Sequence, residues 1–281
     1  MLQVRTVELG PEKSLHAATD GEGPDVLLLH GALATHQDWL AGPFGALTRF
    51  GRITAIDRPG HGLSRRRRFE GDPRAQARQI AAGLDALGIA RAVVVGHSMG
   101  GLVALALAEL FAERVSELVL VAPIAFPELR LIEHNLLAPR AMPVLGPLLS
   151  RAGEATVDPA FLRTTQALMF SPQAVPEHWR ETYPWDQVLT PAAMVAEGED
   201  CAAILPGSPL GLIDVGRIKT PTQVITGTDD KIVEDERQAK LLARIMPDAR
   251  LTELRGIGHM AHHAQPEIVI EAVRDALAAL V

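Results

Sequence analysis

The chain lacks several features that would assign it to a class at once. It has a single cysteine, Cys201, in 281 residues, so no intrachain disulfide can form and the fold does not depend on an oxidising compartment. No histidine lies near Cys201 in sequence to activate its thiol, and it reads as a structural residue. Basic charge is not in excess. Lys+Arg number 27 against 34 Asp+Glu, for a net charge of −7, which gives no general attraction for nucleic acid, whose binding rests on neutralising phosphates. Nowhere does a charge-free apolar run reach the ~18 residues at which a membrane span is read. The opening residues, Met1 to Glu8, lack the basic region and unbroken apolar stretch of a signal peptide, so a cytoplasmic location is expected. Internal repeats and low-complexity tracts are missing too. What remains is 47% hydrophobic and 22% charged, with 24 Gly and 20 Pro. That is an ordinary globular composition, long enough for one large α/β domain or a core with a smaller insertion.

Up to Pro123, apolar runs alternate with helical patterns. Val26–Leu29 is closed by His30-Gly31, and Arg52–Ile56 by the breakers of Asp57-Arg58-Pro59-Gly60-His61-Gly62; both suit strands buried on two faces. Asp72-Pro73 places an N-cap before a proline at the first helical position, and Ile80, Leu84 and Leu87 recur at helical spacing until Gly88. Ala92–Val95 predicts the next strand, Leu102–Phe111 a helix apolar almost all round, and Leu118–Val121 a further strand. Such alternation predicts a mainly parallel sheet covered by helices on both faces. Residues 124–215 break the pattern. They are rich in proline, carry Trp179 and Trp185, show no clear strand signal, and read as an inserted helical cap. Alternation returns with a strand at Thr222–Thr226, a helix near Glu234–Ile245, a strand at Arg250–Leu254 and a last helix from Pro266. The core is therefore expected from 1–123 and 216–281. The run Arg65–Arg68, joined by Arg74 and Arg78, is expected to be a solvated loop, with contact to an anion or acidic partner as the alternative.

Gly96-His97-Ser98-Met99-Gly100 fits G-x-S-x-G between a predicted strand and a predicted helix. In that context the serine sits on a sharp, strained turn that lifts its hydroxyl clear of the sheet, at the positive end of the following helix. Here the sequence resembles the α/β-hydrolase superfamily over essentially its full length. The resemblance is carried by His30-Gly31, by Asp57 through Ser64, by Gly96 through Gly101, by Gly227-Thr228-Asp229-Asp230 and by Gly258-His259, in the family's order. It implies a mainly parallel eight-stranded sheet flanked by helices, with the helical cap inserted after strand 6, as in the capped esterase, haloperoxidase-like and C–C hydrolase branches.

A serine hydroxyl needs an adjacent base, and that base needs an orienter. In this fold the chain order is serine, acid, histidine. Among ten histidines, His259 lies in a glycine-bearing loop after a predicted strand. His30 and His97 fall in motifs where the family uses them structurally, His61 in a turn, and His134 and His178 in the expected cap. His262 and His263 follow His259 too closely to share its position. For the acid, Gly227 to Asp230 forms the turn at the carboxyl end of a predicted strand, where ligands of open α/β sheets gather. The resemblance selects Asp230 and leaves Asp229 as a turn residue. An oxyanion hole needs two backbone donors. The amide of Met99 is one, and the resemblance makes Ala32, after His30-Gly31, the other, with Leu33 as the alternative. His259 and His262, three apart, raise a metal reading, but no cysteine or helix-borne glutamate completes a familiar set. No metal or organic cofactor is expected.

Departures from the family pattern narrow the reading. Many relatives carry an acid five residues after the catalytic histidine; here that position is Ala264, so the histidine loop must be supported from elsewhere. Serine in place of aspartate as nucleophile argues against the epoxide hydrolase and haloalkane dehalogenase branches, and the His-Gly loop lacks the extra glycines of C–C hydrolases. Cap residues such as Leu137, Met142, Leu148, Met169, Phe170 and Trp179 are expected mostly to pack the cap onto the core, several of them lining an apolar pocket. The leading expectation is a serine hydrolase cleaving a small, apolar carboxylic ester or acyl compound through an acyl-enzyme. A C–C bond hydrolase of a vinylogous diketone would use the same triad, and a non-catalytic ligand-binding protein on the same scaffold is the alternative from another class. No nucleic-acid partner or membrane span is expected, and a homo-oligomer is left open.

Overall fold

The apolar runs become the centre of a single sheet. The computed structural model describes residues 1–129, 131–208 and 212–280. Its strands are β1 (Gln3–Gly10), β2 (Lys13–Asp20), β3 (Asp25–Leu29), β4 (Arg52–Ile56), β5 (Ala92–His97), β6 (Val115–Val121), β7 (Thr222–Gly227) and β8 (Ala249–Leu254). They pair in the order β1-β2-β4-β3-β5-β6-β7-β8. Only β2 runs antiparallel to its neighbours β1 and β4; every other pairing is parallel. Alternate residues point to opposite faces, so Leu27, Leu29 and Val94 join the apolar layer on one side while Val26, Leu28 and Val93 join the other. Burial on both faces is why the central strands read as unbroken apolar runs. β1 is an edge strand with mostly exposed side chains, and no apolar run marks it.

Helices cover both layers. α1 (Pro73–Leu87) starts where Asp72 accepts the Ala75 N–H at 2.9 Å and ends at Gly88, with φ 69°. α2 (Met99–Leu110) is buried along most of its length, as a helix apolar all round must be. Between β6 and β7 the described residues form helices and loops without a strand, chiefly α3 (Leu145–Gly153), α4 (Val157–Phe170) and α5 (Pro191–Ala203). Leu137, Met169, Phe170 and Trp179 are buried there, whereas Met142 and Leu148 are exposed beside and on α3 instead of packing onto the core. α6 (Ala239–Ile245) is shorter than the helix expected near Glu234–Ile245. Gln238 has non-helical backbone, and its side chain accepts the Ala125 and Phe126 N–H groups at 2.8 and 2.9 Å. α7 (Pro266–Ala278) closes the chain. No described helix is long and apolar enough to cross a membrane.

The arginine run corrects the expectation of a solvated loop. Arg65 and Arg67 are exposed, but the Arg66 side chain is only 2% exposed. Its Nη1 donates to Asp200 Oδ1 at 2.7 Å and its Nη2 to the Ala196 carbonyl at 2.8 Å. Arg68 Nε donates to Glu199 Oε1 at 2.6 Å, and Arg58 Nη1 reaches Asp200 Oδ2 at 2.7 Å. Burial alone would push the Asp200 carboxyl up; the Arg66 and Arg58 guanidiniums outweigh it and hold the group well below the usual carboxylate range. The carboxylate partners of Arg66 and Arg68 lie on α5, about 130 residues further along the chain, which is why a charge run read in isolation looks solvated.

Candidate active site

β5 ends at His97 and α2 begins at Met99, leaving Ser98 alone in the turn. Its backbone, φ 52° and ψ −118°, is one that a residue with a side chain adopts only under strain. The turn closes because its neighbours carry no side chain. A Cβ on Gly96 would lie 2.6 Å from the Gly100 carbonyl oxygen, and one on Gly100 would collide with the Leu29 and His30 carbonyls. Ser98 is also tied from both sides. Its N–H donates to the Val121 carbonyl at 3.0 Å, and its own carbonyl accepts from Gly101 and Ile124.

Asp230 follows β7 and His259 follows β8, so both arrive at the same edge of the sheet. His259 Nδ1 lies 2.7 Å from Asp230 Oδ2, with neither side chain more than 2% exposed. The other oxygen, Asp230 Oδ1, accepts the Ile232 and Val233 N–H groups at 2.7 and 2.9 Å. A carboxylate so held accepts a hydrogen bond from Nδ1–H, which keeps the proton on Nδ1 and leaves Nε2 as the basic nitrogen. Support for the histidine loop, absent at Ala264, comes from two other residues. The His97 Nε2 lies 3.2 Å from the His259 carbonyl. Gln173, between β6 and β7, accepts the Gly258 N–H at 3.1 Å and donates to the Gly256 carbonyl at 2.7 Å.

Behind His97 lies a buried group of imidazoles. Its ring centroid is 4.3 Å from that of His262. Burial, reinforced by His262 and His259, holds the His97 imidazole well below its ordinary range. Burial likewise brings His262 down to about 4. Asp38 meets His262 Nε2, His263 Nε2 and Trp179 Nε1 at 2.9, 2.9 and 2.8 Å. Asp38, His262 and His263 thus bring three potential ligand atoms together, yet the carboxylate oxygens are already engaged by nitrogen donors.

Ser98, His259, Ala32 and Met99 line one cavity of about 40 Å³, with Leu137, Met169, Ile204 and Cys201 among the other walls. The loop His30–Leu33 packs tightly on the serine turn: a Cβ on Gly31 would sit 3.2 Å from the Ser98 Cβ. Of the two amides proposed for this loop, that of Leu33 is engaged, donating to Glu197 Oε1 at 2.5 Å. Glu197, Gln173 and Asp38 carry no local motif. The one available signal is the cluster Glu197-Gly198-Glu199-Asp200 inside an otherwise apolar helix. Buried charges of that kind require partners.

A serine on a strained strand–helix turn, opening on the same cavity as a carboxylate-bound histidine, is an arrangement suited to nucleophilic catalysis at the carboxyl edge of a parallel sheet. The profile of the alpha/beta hydrolase family matches residues 26–272, and the chain belongs to that family. Esterase YbfF of Escherichia coli (strain K12) is 27% identical over 248 residues, covering 83% of this chain and 89% of that protein. Among solved structures, the epoxide hydrolase CorEH superposes with a TM-score of 0.83 at 19% identity, covering 100% of both chains. A thermophilic esterase from Thermogutta terrifontis gives 0.75 at 24% identity, covering 99% of this chain and 98% of that one. At these identities the two structural likenesses show the fold.

Proposed function

We propose that the protein is a serine hydrolase of carboxylic esters, working through an acyl-enzyme. The observation that carries this reading is the meeting of Ser98 and His259 in one cavity, with Nδ1 of His259 held by Asp230 at 2.7 Å. Nε2 of His259 takes the proton of the Ser98 hydroxyl as its oxygen attacks the ester carbonyl. The tetrahedral oxyanion is bound by the backbone amides of Met99 and Ala32; the engagement of the Leu33 amide by Glu197 favours Ala32 over Leu33 as the second donor. Collapse breaks the C–O bond, and His259 returns its proton to the departing alcohol. Water, deprotonated by His259, then attacks the acyl-enzyme; the acyl C–O bond to Ser98 breaks, His259 returns the proton to Ser98 Oγ, and the acid leaves. Asp230 holds the imidazole tautomer and stabilises the imidazolium without being protonated.

The apolar walls favour an apolar acyl group, and the Escherichia coli relative carries the name esterase. Ser98 in the nucleophile position favours ester over epoxide chemistry. A cavity of about 40 Å³ lies far below the roughly 300 Å³ at which ligand pockets begin. Residues 124–215, read as a cap on a core of 1–123 and 216–281, supply Leu137, Met169, Cys201 and Ile204 to its walls.

Intact mass after exposure to a fluorophosphonate, with peptide mapping, tests the proposal. A single adduct on Ser98 is expected, and Ser98→Ala should lower turnover of chromogenic esters by about 10³-fold or more. An unlabelled Ser98, or a variant with ordinary turnover, would overturn it.

A further inference from the structure

Three successive peptide groups of the loop next to Ser98 are each held by a side chain from elsewhere. The first is the Gly31–Ala32 unit. Arg58 Nη2 donates to the Gly31 carbonyl at 3.2 Å, and Arg58 Nε to the His30 carbonyl at 3.0 Å. In a trans peptide the C=O and N–H point to opposite sides. With its carbonyl on Arg58, this unit turns the Ala32 N–H away from Arg58, and Ala32 lines the cavity that holds Ser98. The second is the Ala32–Leu33 unit, whose N–H donates to Glu197 Oε1 at 2.5 Å. The third is the Leu33–Ala34 unit, whose carbonyl accepts the Tyr183 hydroxyl proton at 2.5 Å.

Leu33 sits at φ 52°, a left-handed conformation that a leucine adopts only when something outside it holds it there. Glu197 and Tyr183 both come from the stretch between β6 and β7. Their position is fixed in turn. Glu197 is 1% exposed and lies 3.3 Å from His61 Nδ1. Two and three residues further along α5, Glu199 and Asp200 are bound by Arg68, Arg66 and Arg58. Neither Glu197 nor Tyr183 lines the cavity that contains Ser98.

We propose that Glu197 and Tyr183 are positioning residues for the oxyanion hole: they clamp both peptide groups of Leu33, and so keep the Ala32 amide aimed at the carbonyl that Ser98 attacks. The helices between β6 and β7 thus complete the oxyanion-binding half of the site from outside the sheet. The inference rests on the ester-hydrolase reading of the same site. It adds that the hole is only as well formed as the docking of α5.

The test combines amide hydrogen exchange with steady-state kinetics on the full chain. In Glu197→Ala, exchange at the Leu33 amide should rise by about tenfold or more, since its buried acceptor is gone. On a chromogenic ester, kcat should fall by about 10- to 100-fold with KM changed by less than about threefold, the signature of an interaction made only in the transition state. Glu197→Gln keeps an oxygen that can accept the Leu33 N–H and should restore most of kcat, which a merely structural role for the charge would not predict. Tyr183→Phe removes only a hydroxyl and should lower kcat less than Glu197→Ala, again at nearly constant KM. It carries the test if Glu197→Ala fails to fold. Unchanged Leu33 exchange in Glu197→Ala overturns the clamp whether or not the protein hydrolyses esters. Faster exchange with unchanged kcat overturns the positioning role. A wild type inert to both esters and fluorophosphonate overturns the ester reading and the catalytic purpose of the clamp, and the exchange data still decide whether the clamp exists.

Discussion

The two sides of the site are built by different means. On the Ser98–Asp230–His259 side, nearly every restraint is local or comes from the sheet. Asp230 is held by amides two and three residues further on, Ser98 by Val121 of the adjacent strand, and the His259 carbonyl by His97 beside the serine. Gln173 is the contribution there from outside the sheet. On the side of the His30–Leu33 loop, Leu33 is bonded by Glu197 and Tyr183, which lie outside the sheet, between β6 and β7. A sharp turn and two strand ends are enough to bring Ser98 and His259 to one cavity. Fixing both peptide groups of Leu33 takes contacts from outside the sheet.

That contrast can be broken most forcefully at the joint between the two sides. Asp200→Ala would leave the buried guanidiniums of Arg58 and Arg66 without their shared carboxylate. Removal of one partner from a buried ion pair costs about 3–5 kcal/mol, so the urea midpoint should fall sharply. A loss below about 1 kcal/mol would show that α5 does not depend on this anchor.

A smaller effect sharpens the sheet-held side. Burial brings the His262 imidazole down to about 4, and His97 is also lowered. An unfolded histidine titrates near 6.5, so between about 6.5 and 4 the unfolded chain binds more protons than the folded one. Stability present at neutral pH is therefore lost as pH falls through that window. His262→Gln still offers Asp38 an N–H but cannot titrate. It should remove about 2 kcal/mol of the difference in unfolding free energy between pH 7 and pH 4.5. Identical pH dependence in variant and parent would show that His262 is not the group responsible.

The smallest effect is expected at Arg67, in the same run as Arg66 but exposed, with its nearest carboxylate, Glu12, at 3.8 Å. Arg67→Ala should change stability by less than about 0.5 kcal/mol by chemical denaturation. A larger loss would mean that the exposed arginines also help to dock the inserted helices.

The same division explains what could be read without coordinates. Ser98 is legible because the steric demands of its turn are written into Gly96 and Gly100 within two residues of it. The strands β3 to β7 are legible because burial on both faces leaves little room for polar residues. The helix start at Asp72-Pro73 and its stop at Gly88 are legible because caps are local chemistry. Arg66 was open to misreading because nothing adjacent to it shows where its carboxylates lie. Glu197 is marked only as part of the acidic cluster inside an otherwise apolar helix, and which backbone amide it binds has no local sign. The short helix Ala239–Ile245 shows the same limit. What cuts it back is the bonding of Gln238 to Ala125 and Phe126, across more than a hundred residues.

The anchoring of α5 also limits how far this scaffold can be rebuilt by exchanging parts. Arg58 and Arg66 belong to one segment of the chain, while Glu197, Glu199 and Asp200 belong to another. A chimera that replaced residues 124–215 with a helical segment from a relative, in order to transplant its substrate preference, would strand two cations in the interior unless matching acids were carried across. Modules that look separable along the chain are here joined by charge, and would have to be exchanged as a matched set.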